Sequence, residues 1–151
     1  MKVLIVGGGG REHAIAVSMK KSKHVDKLYC VPGNAGIAQI AECEPSIGVM
    51  EFDKIVQYAK DKAVDLVFVA PDDPLVGGLV DVLEANGLRA FGPNKAAAIL
   101  EGSKAFSKDL MKKYHIPTGV NARRPTKTSF SILARSSGVN FCRPYWNIRK
   151  A

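Results

Sequence analysis

Four consecutive glycines stand at the point where an apolar segment gives way to a polar one. Residues 2–6 have the continuous apolar character of a parallel strand that is covered on both faces. Residues 11–21 carry apolar side chains at helical spacing, namely Ala14, Ile15, Val17 and Met19. Glycines at such a junction let the backbone approach a ligand, and the amides and dipole of the helix start favour an anion. The sequence therefore predicts a phosphate-binding turn formed by Gly7, Gly8, Gly9 and Gly10.

The spacing of these glycines differs from that of a dinucleotide fingerprint. That fingerprint needs G-x-G-x-x-G and an acid about twenty residues further on for a ribose hydroxyl. Here Glu12 replaces the third glycine, and the second predicted strand is followed by Pro32-Gly33-Asn34, with no acid. Both departures argue against a nicotinamide cofactor. Arg11 and His13 favour a phosphate ligand over the alternative, which is a tight turn that binds nothing.

Strands and helices alternate along residues 2–118. Strands are predicted near 2–6, 27–31, 65–70 and 88–91, with a short one near 41–44, and helices near 11–21, from 52–53 onward, and near 76–85, 95–100 and 103–114. Asp53, Asn94 and Ser103 are expected to cap three of these helices. Regular alternation with right-handed crossovers predicts an α/β fold with a doubly wound parallel sheet.

Three turns of unusual composition follow three of the predicted strands. They are Gly7–Gly10, Pro32–Gly36 and Pro71–Leu75. Ligands bind at the carboxyl ends of the strands in doubly wound sheets, so we expect these turns to share one site. Two simpler interpretations stay open. The second segment has the composition of a plain turn, and Asp72 and Asp73 are suitable N-cap acids for a helix after Pro74.

The net charge of +8 comes from one end of the chain. Residues 110–151 hold nine Lys and Arg and no acid, whereas residues 1–109 hold 13 basic and 14 acidic side chains. No basic patch with interleaved aromatic residues precedes residue 110. The charge therefore does not predict a nucleic-acid partner for the folded part.

The cysteines and the apolar segments narrow the class of protein further. Cys30, Cys43 and Cys142 are odd in number and lack metal-ligand spacing, so neither a disulfide framework nor a metal site is predicted. Cys30 is expected to be a small buried apolar residue. No segment is long enough to span a bilayer and the start lacks a signal-peptide pattern, so we expect no membrane partner and a cytoplasmic location.

Five motifs in order give the sequence a resemblance to a known family. They are Gly7-Gly8-Gly9-Gly10-Arg11-Glu12-His13-Ala14, Pro32-Gly33-Asn34-Ala35-Gly36, Ala70-Pro71-Asp72-Asp73-Pro74-Leu75, Phe91-Gly92-Pro93 and Leu100-Glu101-Gly102-Ser103-Lys104-Ala105-Phe106-Ser107-Lys108. Together they closely resemble phosphoribosylamine–glycine ligase, also called glycinamide ribonucleotide synthetase, over roughly residues 1–118. The resemblance implies a Rossmann-like N-terminal domain that precedes an ATP-grasp domain. It also implies ATP-dependent joining of glycine to 5-phosphoribosylamine in purine synthesis.

The resemblance implies roles for individual residues. The glycine turn, Arg11 and Glu12 would bind the phosphate and ribose of phosphoribosylamine. Pro32, Gly33, Asn34, Pro71, Asp72 and Asp73 would form the other walls of that pocket. Many family members have glutamate at the position of Asp72. Lys104 would reach the phosphates of ATP, which the full-length family uses with Mg²⁺ or Mn²⁺. Catalytic residues are not assigned.

The resemblance stops after about Thr118. We expect a substrate domain at 1–102, a helix at 103–118 leading towards an ATP-grasp domain, and a divergent, irregular basic tail at 119–151 that is mobile and dispensable for the fold. A shifted reading frame, a truncated gene or genuine divergence would each explain that tail. The sequence then predicts an N-terminal fragment of the ligase that is inactive alone and binds neither ATP nor metal strongly. Two alternatives stay open: a nucleotide-binding Rossmann oxidoreductase module, and a non-catalytic binding protein with a basic tail.

Overall fold

The computed structural model of the protein describes residues 1–119 of the 151-residue chain. The chain divides into a first compact unit, Met1–Leu110, and a second unit that begins at Met111. All of the site residues predicted from the sequence lie in the first unit. The expectation of a mobile, dispensable tail concerns residues 119–151, and therefore lies outside the described residues except at Gly119.

A five-stranded, all-parallel sheet forms the centre of the first unit. Its strands are β1 (Lys2–Gly7), β2 (Lys27–Pro32), β3 (Glu42–Cys43), β4 (Leu66–Val69) and β5 (Ala90–Phe91). Their spatial order is β3-β2-β1-β4-β5, so the chain runs outward from β1 in one direction and then in the other. The predicted doubly wound parallel sheet is therefore confirmed.

Helices cover both faces of the sheet. They are α1 (Gly10–Lys20), α2 (Phe52–Asp61), α3 (Asp72–Gly77), α4 (Leu79–Ala85) and α5 (Lys95–Gly102), with a short 3₁₀ helix at Ile37–Gln39. A further helix, α6 (Lys104–Lys113), follows and has no buried residue. No helix among residues 1–119 has the length and apolar character needed to cross a membrane. Leu4, Val6 and Val67 face the core packed beneath α2 and α4, while Val3 and Ile5 face the smaller core beneath α1. Burial on both faces explains the continuous apolar runs of these strands.

The buried face of α1 differs from the predicted one. Ala14 and Val17 are exposed, whereas Ala16 is fully buried and Ile15 and Met19 are partly buried against the sheet. The prediction assigned the buried face of α1 from the hydrophobicity of its side chains. The small Ala16 is the residue that allows the helix to lie close to the strands, because its methyl group takes little space.

The single helix predicted at 76–85 is wrong, because the structure has two helices here. Gly78 has a φ of +95° and ends α3, and α4 begins at the next residue. Asp72 and Asp73 lie inside the first turn of α3, whose N-cap is Pro71, so neither acid is the N-cap. Their charges still lie at the end of the helix that favours acids.

Of the three predicted helix caps, the structure confirms two and contradicts one. Asn94 accepts a hydrogen bond from the Ala97 amide at 2.9 Å and Ser103 accepts one from the Phe106 amide at 3.3 Å, so both caps are confirmed. The cap predicted at Asp53 is wrong, since α2 begins at Phe52 and its N-cap position is Glu51.

Candidate functional site

The three unusual turns lie side by side at the carboxyl ends of β1, β2 and β4. The Gly33 amide donates to the Gly7 carbonyl at 3.2 Å, and Ala70 donates to Val6 at 3.4 Å. A Cβ added to Gly7 would lie 3.1 Å from the ring of Pro71. The strand order places β1 between the other two strands, so the glycine turn occupies the middle of this group.

Gly7 ends β1 in a conformation that favours glycine. Its φ is +128°, and an added Cβ would lie 2.5 Å from Cγ of Glu12. The absence of a side chain at Gly7 therefore allows the backbone to leave β1 in this conformation.

Glu12 points into the protein at the start of α1. Its side chain is buried, with 4% of the residue exposed, and its Oε2 accepts a hydrogen bond from the Gly9 amide at 2.5 Å. This contact satisfies an amide at the N-terminus of the helix that would otherwise lack a partner. The substitution of glutamate for the third glycine of a dinucleotide motif thus has a local structural reason.

Asn34 connects the second turn to the glycine turn. Its Nδ2 donates to the Gly8 carbonyl at 2.8 Å, and its Oδ1 accepts from the Ile37 amide at 2.9 Å. The backbones approach closely here, since a Cβ added to Gly8 would lie 2.5 Å from the Gly33 carbonyl oxygen. The Pro32–Gly36 segment therefore does more than reverse the chain: it holds the backbone of Gly8.

His13 also touches this second turn. A Cβ added to Gly36 would lie 2.7 Å from Cε1 and 3.0 Å from Nδ1 of His13, and 3.2 Å from Oδ1 of Asn34. The imidazole thus lies against the backbone of Gly36. The sequence pointed to His13 as a donor beside the turn, but gave no signal that its ring packs on a glycine 23 positions away.

Arg11, which directly follows the glycine turn, forms an ion pair with Asp72 at the start of α3. Arg11 Nη2 is 3.7 Å from Asp72 Oδ1, and the two side chains are 68% and 45% exposed. The separation and the exposure make this a weak ion pair. The guanidinium is therefore free to exchange this partner for an anion at little cost.

Gly10 marks the open part of the turn. Nothing lies within 4 Å of a Cβ added to it, in contrast to the crowded positions of Gly7, Gly8 and Gly9. Its amide and that of Arg11 belong to the first two helical positions, which have no acceptor within the helix. These amides and the exposed guanidinium can bind an anion.

Lys104 is exposed at the first position of α6. No group of three or more His, Cys, Asp or Glu suited to a metal ion exists among residues 1–119. The described part of the chain thus contains no cluster of ligands suited to a metal ion.

Cys30 is fully buried beside the glycine turn, as expected. Its Sγ donates to the Gly7 carbonyl at 3.2 Å. Burial raises the pKa of this thiol to about 12, with a smaller contribution from Cys43. The sequence did not indicate that Cys43 lies against Gly33, where an added Cβ would be 2.5 Å from its Sγ.

Comparisons with known proteins connect this geometry to a family. The sequence profile described as "Phosphoribosylglycinamide synthetase, N domain" matches residues 1–101. The phosphoribosylamine–glycine ligase of Caldanaerobacter subterraneus subsp. tengcongensis is 55% identical over 119 residues, which cover 79% of this chain and 28% of that protein. The ligase of Brucella melitensis is 52% identical over 139 residues, which cover 92% of this chain and 32% of that protein. Its alignment therefore includes some residues beyond 118.

Solved structures show the same architecture. A crystal structure of phosphoribosylamine–glycine ligase from Thermotoga maritima matches with a TM-score of 0.55 and 32% identity, and covers 80% of this chain and 26% of that one. The biotin carboxylase domain of a thermophilic 2-oxoglutarate carboxylase matches with a TM-score of 0.61 over 78% of this chain and 28% of that one. At 20% identity the second similarity concerns the fold alone. This chain spans about a third or less of the length of these curated relatives, and it belongs to the family of phosphoribosylglycinamide synthetase N domains.

Proposed function

We propose that this chain forms the part of a phosphoribosylamine–glycine ligase that binds 5-phosphoribosylamine. The whole enzyme would use ATP to join that amine to glycine in purine synthesis. The names of the relatives and the matching family profile support this activity. The observation that carries the binding role is the meeting of three turns around Gly7 and Gly8, with an open face at Gly10 and the exposed Arg11 beside it.

We propose the following arrangement of the ligand. Its phosphate contacts the amides of Gly10 and Arg11 and the Arg11 guanidinium, since these donors are exposed. Glu12 supports the turn from inside, because its carboxylate already accepts from Gly9.

We assign the remaining predicted residues to the two flanking walls of the proposed pocket. Asn34 acts through Gly8, whose carbonyl it holds, while Asp72 and Asp73 offer carboxylates to the ribose hydroxyls or the amine. Pro32, Gly33 and Pro71 shape the backbone at the ends of their strands. The proposed boundaries stay at 1–102 for this substrate domain, 103–118 for the connecting helix and 119–151 for the tail.

The described residues do not by themselves fit ATP with Mg²⁺ or Mn²⁺, because they include Lys104 but no cluster of metal ligands. We therefore propose that the nucleotide and its metal ion bind mainly to other parts of the whole enzyme. Neither would bind strongly to this chain alone. The proposed partners are small molecules only, and the proposed location is the cytoplasm.

Calorimetry with ribose 5-phosphate, a stable surrogate of the substrate, tests the binding role. We expect ribose 5-phosphate to bind and NAD to show no heat of binding. Arg11→Ala should weaken the affinity for ribose 5-phosphate by about tenfold or more, since it removes a charge-assisted hydrogen bond. Arg89→Ala is the matched control, because Arg89 is an exposed arginine that precedes β5, at the opposite end of the sheet.

Two results would contradict the proposal. Binding of NAD in preference to ribose 5-phosphate would favour the oxidoreductase alternative. Equal affinities of the wild type, Arg11→Ala and Arg89→Ala for ribose 5-phosphate would remove Arg11 from the site. Circular dichroism of each variant verifies that the fold is intact.

A further inference from the structure

Cys30 and Cys43 face each other across two neighbouring strands. They are partners in the parallel register of β2 and β3, and both side chains belong to the smaller core on the α1 side of the sheet. Neighbouring strands lie about 4.8 Å apart. This spacing falls within the Cα separation of about 4.4–6.8 Å that a disulfide bond requires.

Both thiols also contact the backbone of the proposed phosphate site. Cys30 donates its S–H hydrogen bond to the Gly7 carbonyl, which accepts from the Gly33 amide as well. Sγ of Cys43 occupies the space beside Gly33, where a side chain would otherwise lie. A chemical change at either sulfur is therefore transmitted to the glycine turn or to the second turn.

The two thiols differ in access. Cys30 is fully buried, whereas Cys43 is half-buried in a strand of two residues at the edge of the sheet. Burial raises the pKa of both thiols, so both are protonated at neutral pH and it is the access of the oxidant that distinguishes them. A small oxidant in solution therefore reaches Cys43 first, and Cys30 is the thiol already in place beside it.

We propose that Cys30 and Cys43 form an oxidative modification site, in which a peroxide converts the two thiols into a disulfide bond that weakens the adjoining phosphate site. Cys43 sulfur attacks one oxygen of hydrogen peroxide and becomes a sulfenic acid, while the O–O bond breaks and the departing hydroxide takes the Cys43 proton as water. Cys30 sulfur then attacks the sulfenic sulfur, the S–S bond forms, and the departing hydroxide takes the Cys30 proton as a second water. Both sulfurs are oxidised and the peroxide is reduced, so the electrons balance.

The consequence for the phosphate site follows from the contacts. The disulfide removes the S–H donor from the Gly7 carbonyl and bonds Cys43 Sγ, which lies beside Gly33, to Cys30. The glycine turn then loses a contact that fixes its backbone. This consequence rests on the proposed function, whereas formation of the bond does not.

The test uses the full chain with Cys142→Ser, which leaves only the proposed pair. The protein is treated with hydrogen peroxide at neutral pH, and its peptides are mapped by mass spectrometry without reduction. We expect one intramolecular link between the peptides of Cys30 and Cys43, which dithiothreitol reverses. The matched control, Cys43→Ser with Cys142→Ser, should form no intramolecular link.

Calorimetry then measures the effect on ligand binding. Affinity for ribose 5-phosphate should fall about threefold or more on oxidation, since a hydrogen bond that shapes the site is lost, and dithiothreitol should restore it. Unlinked thiols, or sulfinic acid at Cys43 without the link, would overturn the proposal. A link with unchanged affinity would overturn its coupling to the site. If the reduced chain fails to bind ribose 5-phosphate, the proposed function fails, and peptide mapping still decides whether the bond forms.

Discussion

The neighbouring glycines of the turn differ in the space that surrounds them, and therefore in how well each position would accept a side chain. Gly8 lies against the carbonyl of Gly33, and Gly9 lies against the carboxylate of Glu12, so a side chain at either position meets an atom at 2.5–2.6 Å. Gly10 faces open space. The backbone contact at Gly8 leaves no flexible group that can move aside, which makes this position the least tolerant of the three.

Gly8→Ala should therefore destabilise the fold, whereas Gly10→Ala should not. We expect a loss of about 2 kcal/mol in the free energy of unfolding for Gly8→Ala, because the added methyl group overpacks a rigid backbone contact. Gly10→Ala should stay within about 0.5 kcal/mol, since alanine suits a helix and meets nothing there. Urea denaturation measures both, and equal stabilities would show that the approach of Gly8 to Gly33 does not constrain the turn.

Glu12 should contribute to stability through its contact with the Gly9 amide. Glu12→Ala removes a buried acceptor from the start of α1, and we expect a loss of about 1.5–3 kcal/mol on thermal unfolding. Glu12→Gln is the matched variant, because its amide oxygen can still accept the hydrogen bond. An alanine variant as stable as the glutamine variant would contradict this role.

Individual elements show what the sequence could and could not predict. The strands and the caps at Asn94 and Ser103 follow from local patterns, and the structure confirms them. The break at Gly78 was missed because apolar residues continue through it at helical spacing, and an isolated glycine is tolerated in a helix. Only its left-handed conformation, which depends on the packing of α3 and α4, reveals the break.

Gly78→Ala should reveal the cost of this break. The φ of +95° strains an alanine, and an added Cβ would also lie 3.2 Å from Cδ of Lys95, so we expect a loss of about 1 kcal/mol in urea denaturation. Gly48→Ala is the control, because its added Cβ meets only ordinary contacts at 3.5 Å or more. A more stable Gly78→Ala variant would mean that α3 and α4 readily merge into one helix.

Another element-scale prediction concerns β3 and its charge pairs. Glu42 Oε2 lies 2.8 Å from Lys27 Nζ, and its Oε1 lies 2.6 Å from Lys62 Nζ. Hydrogen bonds first from Lys27 and then from Lys62 lower the pKa of Glu42 from 4.5 to about 2. These pairs join the start of β2 and the end of α2 to an edge strand of two residues.

The lowered pKa fixes the direction of the pH dependence. The stabilisation from ionised Glu42 is fully present above its unfolded pKa of about 4.5 and is lost as the pH falls through about 2. The difference in stability between the wild type and Glu42→Gln should therefore shrink across this range. Thermal unfolding from pH 6 to pH 2 measures it, and high salt should reduce the difference at neutral pH, because these pairs are exposed. A difference that does not change with pH would contradict the assignment.

At the scale of the whole molecule, the sheet topology made the meeting of the three turns predictable from the sequence. Three turns separated by more than twenty residues each were expected to meet because parallel strands end at one edge of a sheet, and they do. The partners within the site were not predictable in the same way. The contacts of Cys43 with Gly33 and of His13 with Gly36 depend on side-chain packing across strands, for which a single sequence gives no periodic signal.

Catalysis also has to be considered at the scale of the whole molecule, because it needs a metal ion and the ligands that hold it. The chain covers 28% of the Caldanaerobacter ligase, and residues 110–151 contain no Asp or Glu. Residues 1–119 provide no group of three or more metal ligands. A step that consumes ATP needs a carboxylate-held metal ion to stabilise the charge that develops on the transferred phosphoryl group.

We therefore expect the 151-residue chain to bind ribose 5-phosphate and yet to show no ligase turnover. A coupled assay for ADP, with glycine, freshly prepared phosphoribosylamine, ATP and Mg²⁺, measures this directly. The full-length ligase of Caldanaerobacter subterraneus is the positive control, since it is the 55% identical relative. Release of ADP by the purified chain that depends on both glycine and phosphoribosylamine would show that these 151 residues contain a complete catalytic centre.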